Sequence, residues 1–479
     1  MSFSASSAPA HRARKALPWL LYLYSLILFG MHFIRIFDNS FWGDEGYTIQ
    51  LAQMSFVKMC ITTAKDVHPP LYYFFTQILY HLLGSHGYTY HLSAVLPYGV
   101  ILILACTVIR KWFGLIPAAV VVTFSSLTDV SICYNVEARM YSLGALFILI
   151  AYLSLYRIFH NGNTSDWAFF SISSLCAAYT HYYALISVAF FYLTLIALTR
   201  KDKMVWKKIL ITYTVAVAVY LPWFFVLLKS FVRTADSWWS TDIPSLRNCV
   251  GFFFNPSWTF VFFFIAFALF LFQAIKNRSS GFFTPDMLWI FSGILSAAGT
   301  SAVGLGLSYA IRPFFLLRYL FPLTAVIYLV FGFLLSKIRW KNLLSVLLIA
   351  GVLICNVPYY YQVLQSEKEI DASTSHCLEL VSPASDSIIY TTYYHLDWTG
   401  IDYYFPGVSH ALIEQSDFAD VLDSSHSEIW FFSQEELSTA DQEAASAYGY
   451  TCSNLYNGAF ADDTYYYVYK LQKFPEAAK

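Results

Sequence analysis

Two short stretches decide the fold of this chain, FWGDEGYTIQLAQ at residues 41–53 and VHPPLYY at residues 67–73. They place Asp44, Glu45 and His68 in the loop that follows the first long apolar segment. Ionisable groups near hydrocarbon are costly and are kept mainly where they function. Two acids and a histidine at this boundary therefore indicate chemistry on a substrate that a lipid carries.

The composition is that of a membrane protein. Of the 479 residues, 58% are hydrophobic and 12% are charged, whereas a soluble globular domain carries about 25% charged residues. The mean hydropathy is +0.53. Apolar runs of about 20 residues, enough to cross roughly 30 Å of hydrocarbon as a helix, recur through the first three quarters of the chain. The net charge of -1 indicates no particular partner, and the sequence carries no nucleic-acid signature.

We therefore predict an α-helical polytopic membrane protein with about eleven transmembrane helices. The predicted spans lie near residues 16–35, 89–109, 113–130, 141–159, 166–180, 183–199, 208–229, 254–275, 287–311, 317–336 and 343–362. The segment 69–84, PPLYYFFTQILYHLLG, is apolar but short. We predict a helix at the outer interface there, with a short twelfth span as the alternative.

The basic residues orient these spans. Short loops rich in Lys and Arg stay in the cytoplasm, and most of the 29 Lys and Arg residues fall in loops on one side of the predicted layout. This predicts a plasma (inner) membrane protein with a cytoplasmic N-terminus and an outer first loop, residues 36–88. No small-residue cleavage site follows the first apolar run, so we expect it to remain as an uncleaved helix.

The composition changes near residue 363, where long apolar runs stop. Strand-like pieces such as DSIIYTTYY, SEIWFFS and TYYYVYKL alternate with helical stretches such as SQEELSTADQEAASAYG. We predict a small extracytoplasmic α/β domain over residues 363–479, after a membrane domain over residues 1–362. Cys377 and Cys452 both fall in this domain and are a candidate disulfide pair in an oxidising compartment.

Polar residues cluster at the outer ends of the predicted spans. Besides Asp44, Glu45 and His68, the candidate site residues on that side are Glu137, Arg139, Tyr141, His181, Tyr182, Arg312, Arg318 and Tyr319. If the helices pack as one bundle, these residues surround one cavity that opens to the outside and to lipid. The same residues also have structural interpretations that involve no substrate. These are a Glu137–Arg139 salt bridge, an interfacial aromatic belt at His181 and Tyr182, and an Arg318 side chain that extends to lipid headgroups.

The acids suit a catalytic base. Neighbouring residues on a helix point about 100° apart, so one of Asp44 and Glu45 acts while the other orients it or pairs elsewhere. A carboxylate in a partly dry site is a suitable general base, because burial raises its pKa towards the working pH.

The basic residues suit a phosphate. Arg139, Arg312 and Arg318 offer planar guanidinium groups that bind phosphate oxygens bidentately, and His68 adds a fourth group. The helix predicted after Pro69 and Pro70 presents free N–H groups that also favour an anion. A glycosidase needs a second carboxyl group to protonate its leaving group. A phosphate leaves as a stable anion, so one base with several cations is sufficient to transfer a group from a lipid phosphate.

The motifs resemble those of a known enzyme superfamily. DE in the first outer loop, HPPLYY, EARMYSL, THYY and LRYLFPL occur in an order that resembles the bacterial dolichyl-phosphate-mannose-protein mannosyltransferase superfamily, whose members are GT-C glycosyltransferases. The likeness covers about residues 16–340. It implies a GT-C fold and an inverting transferase. Such an enzyme moves a sugar from a polyprenyl-phosphate carrier to the hydroxyl of a glycan, lipid or protein outside the cytoplasm.

The resemblance also implies residue roles. Asp44 corresponds to the family's catalytic base, with Glu45 as its neighbour, and Arg318 and Arg139 correspond to residues that hold the carrier phosphate. A more distantly similar family, the lipid A aminoarabinose transferases, has an acidic residue where this chain has His68, which leaves a shared metal site in doubt. If a divalent cation such as Mg or Mn assists, its ligands would be Asp44, Glu45 and His68.

Two other function classes fit parts of the sequence. A transporter or flippase of lipid-linked sugars would use the same arginines without chemistry, but it predicts polar residues through the membrane depth. The polar residues here lie on one side, which favours an enzyme. A structural or polymer-assembly protein, whose C-terminal part recruits partners, is the third interpretation.

Overall fold

The structure is a computed structural model, and it describes residues 8–160, 162–196, 203–233, 242–276, 284–422 and 426–474. Most of these residues are helical. The α-helices are α1 Ala8–Phe33, α2 Gly43–Gln53, α3 Phe56–Thr63, α4 Leu71–Leu83, α5 Gly87–Leu104, α6 Arg110–Phe113, α7 Leu115–Leu127, α8 Asp129–Tyr134, α9 Tyr141–Phe159, α10 Thr164–Thr180, α11 Tyr182–Leu195, α12 Lys203–Arg233, α13 Leu246–Phe253, α14 Thr259–Lys276, α15 Pro285–Ala310, α16 Thr324–Ser336, α17 Lys341–Leu380, α18 Ile401–Tyr404, α19 Phe418–Leu422 and α20 Thr439–Ala447.

Each predicted span coincides with a helix, although the end of the span at 183–199 lies outside the described residues. In the described part of the chain, seven helical segments are long and apolar enough to cross a membrane: Leu17–Phe37, Gly87–Phe113, Tyr141–Phe159, Val205–Ser230, Pro285–Ala310, Leu317–Ser336 and Lys341–Leu380. Helices α7, α11 and α14 are apolar but shorter. The chain is thus a multi-pass helical membrane protein, while the number of eleven spans is not confirmed.

The chain divides into two compact units. The helical unit comprises Met1–Ile36, Ser55–Leu79 and His91–Tyr361, and the sheet unit comprises Phe37–Met54, Tyr80–Tyr90 and Gln362–Lys479. The sheet unit therefore takes in two segments of the first predicted loop. The domain bounds given above, 1–362 and 363–479, stay a prediction.

Aromatic packing holds the long helices of the helical unit together. The Tyr152 ring on α9 stacks on the Trp289 ring on α15, with centroids 4.6 Å apart. Their polar atoms bond reciprocally, since Tyr152 Oη donates to the Trp289 carbonyl at 2.9 Å and Trp289 Nε1 donates to the Tyr152 carbonyl at 3.1 Å. Gly293 permits this approach, because a Cβ there would lie 2.7 Å from Tyr152 Oη.

Short breaks between helices of the helical unit contain several of the predicted polar residues. Residues 135–140 separate α8 from α9, and His181 alone separates α10 from α11. His181 has extended backbone angles, φ -156° and ψ 138°. A 3-10 helix, Leu317–Leu323, precedes α16. These breaks contain five of the eleven candidate residues predicted from the sequence: Glu137, Arg139, His181, Arg318 and Tyr319.

The sheet unit contains a five-stranded sheet of order β2-β1-β3-β5-β4. Its strands are β1 Ile388–Thr391, β2 Ser409–Leu412, β3 Glu428–Ser433, β4 Tyr450–Ala459 and β5 Tyr465–Lys473. β1 pairs in parallel with β2 and β3, and β5 pairs antiparallel with β3 and β4. The small α/β domain predicted from the sequence is confirmed.

The central strand β3 explains how the sheet is buried. Its sequence, EIWFFS, is a continuous apolar run, as expected for a strand covered on both faces. Trp430 and Phe432 enter one hydrophobic core, and Ile429 and Phe431 enter another. Cys377 and Cys452, the candidate disulfide pair, are both free thiols.

Candidate active site

A cavity of about 350 Å³ lies in the helical unit and collects several of the predicted residues. We call it the His68 cavity. Apolar side chains form much of its wall, and the polar groups that line it are His68, His181, Tyr182, Tyr183, Ser230 and Tyr319. A mainly apolar cavity with a few converging polar groups is the usual form of a ligand site.

A chain of polar contacts fixes His68. Its Nδ1 lies 3.2 Å from Asp66 Oδ2, and its Nε2 lies 3.4 Å from Arg139 Nη2. The Nδ1 side of the ring therefore faces the carboxylate, and the Nε2 side faces the guanidinium. Ser230 Oγ donates to the Asp66 carbonyl at 2.9 Å, which ties this loop to α12.

The charges in this chain support one another. Burial opposes ionisation of Asp66, but the hydrogen bond from His68 and the positive charges of His68 and Arg139 lower its pKa. Arg139 is only 1% exposed. A buried guanidinium is tolerated only when it is paired and hydrogen-bonded, and a ligand anion would add to that compensation.

His181 is a neutral hydrogen-bond donor. Burial lowers its pKa well below the usual value, and the positive charges of His68, Arg139 and Arg318 lower it further. Its Nδ1 accepts from the Tyr183 backbone N–H at 3.1 Å, so Nε2 carries the proton. The electrostatic environment of this ring is therefore positive.

Aromatic rings frame the His68 cavity. The Tyr319 ring lies 5.1 Å from the His181 ring and stacks on the Tyr183 ring at 4.9 Å. Tyr141 packs against His181 with ring centroids 6.2 Å apart. Tyr182, a further wall residue, accepts a hydrogen bond from Trp223 Nε1 at 3.3 Å. The hydroxyls and ring faces of these residues shape the cavity.

Arg318, in the 3-10 helix, interacts electrostatically with two of the surrounding residues. Its positive charge lowers the pKa of His181. It also lowers the pKa of Tyr134, which burial and the charge of Glu137 raise. Glu137 lies in the turn that holds Arg139, and its carbonyl accepts from the Arg139 N–H at 2.6 Å. Five of the predicted residues are not among the described residues that line the His68 cavity: Glu137, Arg139, Tyr141, Arg312 and Arg318.

An apolar groove adjoins this cavity. It has a volume of about 390 Å³ and lies between α10, α11 and α12. Leu185 lines both the groove and the His68 cavity. The cavity with the polar groups and the apolar groove are therefore neighbours that share Leu185 of α11.

The two candidate acids lie in the sheet unit, in the first turn of α2. Glu45 is 5% exposed, and its negative charge contributes, after burial, to a raised pKa of Tyr404. Asp44 is partly exposed and points about 100° away round the helix. Glu45 thus faces the core of its unit, whereas Asp44 lies on a different side of α2.

Residues of the C-terminal segment hold α2 in place within the sheet unit. The Tyr47 ring stacks on the Trp398 ring at 4.9 Å. The Phe41 N–H donates to Tyr404 Oη at 2.9 Å. A Cβ on Gly43 would lie 2.5 Å from His395 Nδ1, so only glycine fits there.

Comparison with known proteins adds the fold. No family model matches the chain, and no curated protein matches it significantly in sequence. Its structure is similar to that of ArnT from Cupriavidus metallidurans bound to undecaprenyl phosphate, with a TM-score of 0.58 and 12% identity over 94% of this chain and 98% of ArnT. The chain has the GT-C fold. The apo state of the same ArnT gives a TM-score of 0.57 and 12% identity, over 95% of this chain and 98% of ArnT.

A second GT-C protein is less similar. The Archaeoglobus fulgidus oligosaccharyltransferase, in a complex with Zn and sulfate, gives a TM-score of 0.47 and 12% identity over 86% of this chain and 67% of its own. Within the described residues of our GT-C chain, no group of three His, Cys, Asp or Glu side chains is arranged to hold a metal ion. Metal binding by Asp44, Glu45 and His68 stays a prediction.

Two residues of this site were not among the candidates predicted from the sequence. Asp66 is the partner of His68, and its position two residues before the histidine is a usable signal. Tyr183 also lines the cavity, and its hydroxyl is buried with no hydrogen-bond partner among the described residues. A buried polar atom of this kind is a common mark of a ligand site.

Proposed function

We propose that this protein is a membrane glycosyltransferase that takes a sugar from a polyprenyl-phosphate carrier. It transfers the sugar, with inversion at the anomeric carbon, to an acceptor hydroxyl outside the cytoplasm. The observation that carries the proposal is the convergence of Asp66, His68, Arg139 and His181 beside an apolar groove, in a GT-C fold. ArnT, which shares this fold, was solved bound to undecaprenyl phosphate.

The polar end of the His68 cavity suits a phosphate. The charges that act on His181 come from His68, Arg139 and Arg318, and all are positive. A guanidinium binds phosphate oxygens with charge-assisted hydrogen bonds, about twice as strong as neutral ones. The His181 Nε2–H adds a neutral donor. In this proposal the negative charge of the head group, together with that of Asp66, balances the positive charges of His68, Arg139 and Arg318.

The adjoining groove suits the lipid tail. It runs between helices of the membrane part and meets the His68 cavity at Leu185. A long isoprenoid chain on a phosphate would place its tail in an apolar groove and its head among cations. A free nucleotide sugar would leave the groove unused, which is why we favour a lipid-linked donor.

The proposed chemistry follows from the sequence. Asp44 removes the proton from the acceptor hydroxyl as its oxygen attacks the anomeric carbon, and the bond from that carbon to the phosphate oxygen breaks. The polyprenyl phosphate leaves as an anion, which the groups around the His68 cavity stabilise more strongly as its charge develops. Glu45, buried within its unit, supports the helix that carries Asp44.

The test is sugar transfer by the purified full-length protein in proteoliposomes. Undecaprenyl-phosphate-linked hexoses and pentoses serve as donors and a cell-envelope extract as the source of acceptors, and release of undecaprenyl phosphate is measured. We expect release by the wild type, and loss of at least about a hundredfold in Asp44→Asn, since a general base contributes roughly 10²–10⁴-fold.

Asp420→Asn is the matched control, because Asp420 is exposed in the same unit. It should retain the wild-type rate. Unchanged release in Asp44→Asn would show that this acid is not the base. Movement of the intact lipid-linked sugar across the bilayer, without release of the phosphate, would instead support a flippase.

A further inference from the structure

A second cavity of the helical unit has no role in the donor site proposed above. It has a volume of about 820 Å³ and lies between α8, α13 and the 3-10 helix. Four aromatic rings, those of Tyr134, Phe252, Phe254 and Phe260, line it together with polar side chains that include Asp129 and Asn255. We call it the Asp129 cavity.

The polar side of this cavity is built around an oriented carboxylate. Asp129 Oδ1 accepts from the Val130 N–H at 2.7 Å, and Asp129 Oδ2 accepts from Asn255 Nδ2. Each carboxylate oxygen can accept more than one hydrogen bond, and an amide both donates and accepts. The pair is thus held in place and can still bond to the hydroxyl groups of a ligand.

The Asp129 cavity lies next to the His68 cavity along the chain. Leu317 lines the Asp129 cavity and Tyr319 lines the His68 cavity, with Arg318 between them. The positive charge of Arg318 acts on residues of both cavities, Tyr134 and His181. A ligand in the Asp129 cavity would therefore be close to the groups proposed to hold the donor phosphate.

A short series of ring contacts connects the two cavities. Tyr134 lines the Asp129 cavity, and its ring centroid lies 5.1 Å from that of Tyr141. The Tyr141 ring lies 6.2 Å from the ring of His181. Two contacting rings therefore connect the cavities, a spacing that suits two substrates that must meet.

We propose that the Asp129 cavity binds the acceptor, and that the part of the acceptor it binds is a saccharide. This inference rests on the transferase activity proposed above. A sugar ring presents C–H groups on its faces and hydroxyl groups at its edge, so it can pack on Phe252 while its hydroxyls bond to Asp129 and Asn255. The exposed Arg247 also lines the cavity, so its described lining carries one positive and one negative side chain, which suits an uncharged ligand.

Other acceptors fit this lining less well. A phosphorylated lipid head group would bring negative charge towards the Asp129 carboxylate, which like-charge repulsion disfavours. A serine or threonine side chain of a protein acceptor carries a single hydroxyl, which would satisfy only one of several oriented polar groups. A saccharide satisfies both the aromatic and the hydrogen-bonding surfaces.

The test is an array of immobilised neutral di- and trisaccharides probed with the full-length protein in detergent. We expect binding of a subset by the wild type. Asp129→Asn should weaken that binding about tenfold or more, as for loss of a hydrogen bond to a charged group. Phe252→Ala should weaken it through loss of the ring. Glu414→Gln and Phe264→Ala, at exposed positions elsewhere, should bind as the wild type does.

Undecaprenyl phosphate binding is measured on the same samples. Retained binding of this lipid by Asp129→Asn, together with weakened saccharide binding, supports the proposal and shows that the variant is folded. The proposal is overturned if the array binds nothing, or if Asp129→Asn and Phe252→Ala bind saccharides as well as the wild type. Failure of the lipid to bind the wild type would instead count against the proposed donor, so the two failures are distinguishable.

Discussion

Replacing Gly43 with alanine is expected to slow sugar transfer through a steric effect on the helix that carries Asp44. An alanine Cβ would lie 2.5 Å from Nδ1 and 2.7 Å from Cβ and Cγ of His395. Rotation of the histidine side chain cannot relieve the contact with its own Cβ. Either α2 or the segment that contains His395 must move.

The size of the movement follows from these distances. Ordinary contacts begin at 3.4 Å, so the Cβ atoms must separate by about 0.7 Å. Overpacking of this kind costs about 1–3 kcal/mol of stability. A catalytic group displaced by about 1 Å can lose roughly a hundredfold in rate, and Asp44 is the next residue after Gly43. We expect kcat to fall about tenfold to a hundredfold.

The assay is donor turnover in proteoliposomes, with thermal unfolding measured in parallel. Gly30→Ala is the matched control, because a Cβ at Gly30 meets nothing within 4 Å. The double variant Gly43→Ala/His395→Gly removes every side-chain atom of the clash and should recover part of the lost rate. Wild-type kcat in Gly43→Ala, or no recovery in the double variant, would refute the assignment of α2 as a helix positioned by the C-terminal segment.

Two predictions concern the pH dependence of stability, measured as the midpoint of thermal unfolding. Burial, with Glu367 and Asp371 nearby, raises the pKa of Asp38 to about 6 from 3.8. Its ionised form therefore costs stability above pH 6, and Asp38→Asn should raise the midpoint at pH 7 by an amount that disappears near pH 4. Burial opposes ionisation of Glu428, but the hydrogen bond from Lys470 at 2.7 Å and other bonds lower its pKa to about 2 from 4.5. Its contribution is present above pH 4.5 and lost as the pH falls towards 2, so Glu428→Gln should be less stable at pH 7 and equal to the wild type near pH 2. A constant difference across pH would contradict either prediction.

The helices could be predicted because each depends on a local property, the length of an apolar run. The predicted span at 141–159 coincides with α9, Tyr141–Phe159. In the sheet, β1, β3 and β5 were visible as apolar or aromatic runs. β2, SHAL, is short and half polar, and β4, YTCSNLYNGA, lacks a regular alternation, so neither has a strand signal. Their pairing with neighbouring strands determines them instead.

The candidate site shows the same division. One cavity is lined by His68, His181, Tyr182 and Tyr319. The sequence had placed these four residues at the same ends of the predicted spans. The bond between Asp66 and His68 depends on the geometry of one turn, which the sequence does not specify. The contact of Gly43 with His395 joins residues far apart in the chain, and no local pattern encodes it. Five other residues were predicted to surround the same cavity but are not among the described residues that line it: Glu137, Arg139, Tyr141, Arg312 and Arg318.

The most direct measurement is the binding of undecaprenyl phosphate to the purified protein in nanodiscs, by native mass spectrometry. Arg318→Gln should bind this lipid about tenfold or more weakly than the wild type, because it loses a charge-assisted hydrogen bond. Arg339→Gln, at an exposed position, should bind normally. Undecaprenol, which lacks the phosphate, should bind weakly and equally to all three proteins. If Arg318→Gln binds undecaprenyl phosphate as tightly as the wild type, the assignment of the cationic groups around the His68 cavity to the donor phosphate is wrong.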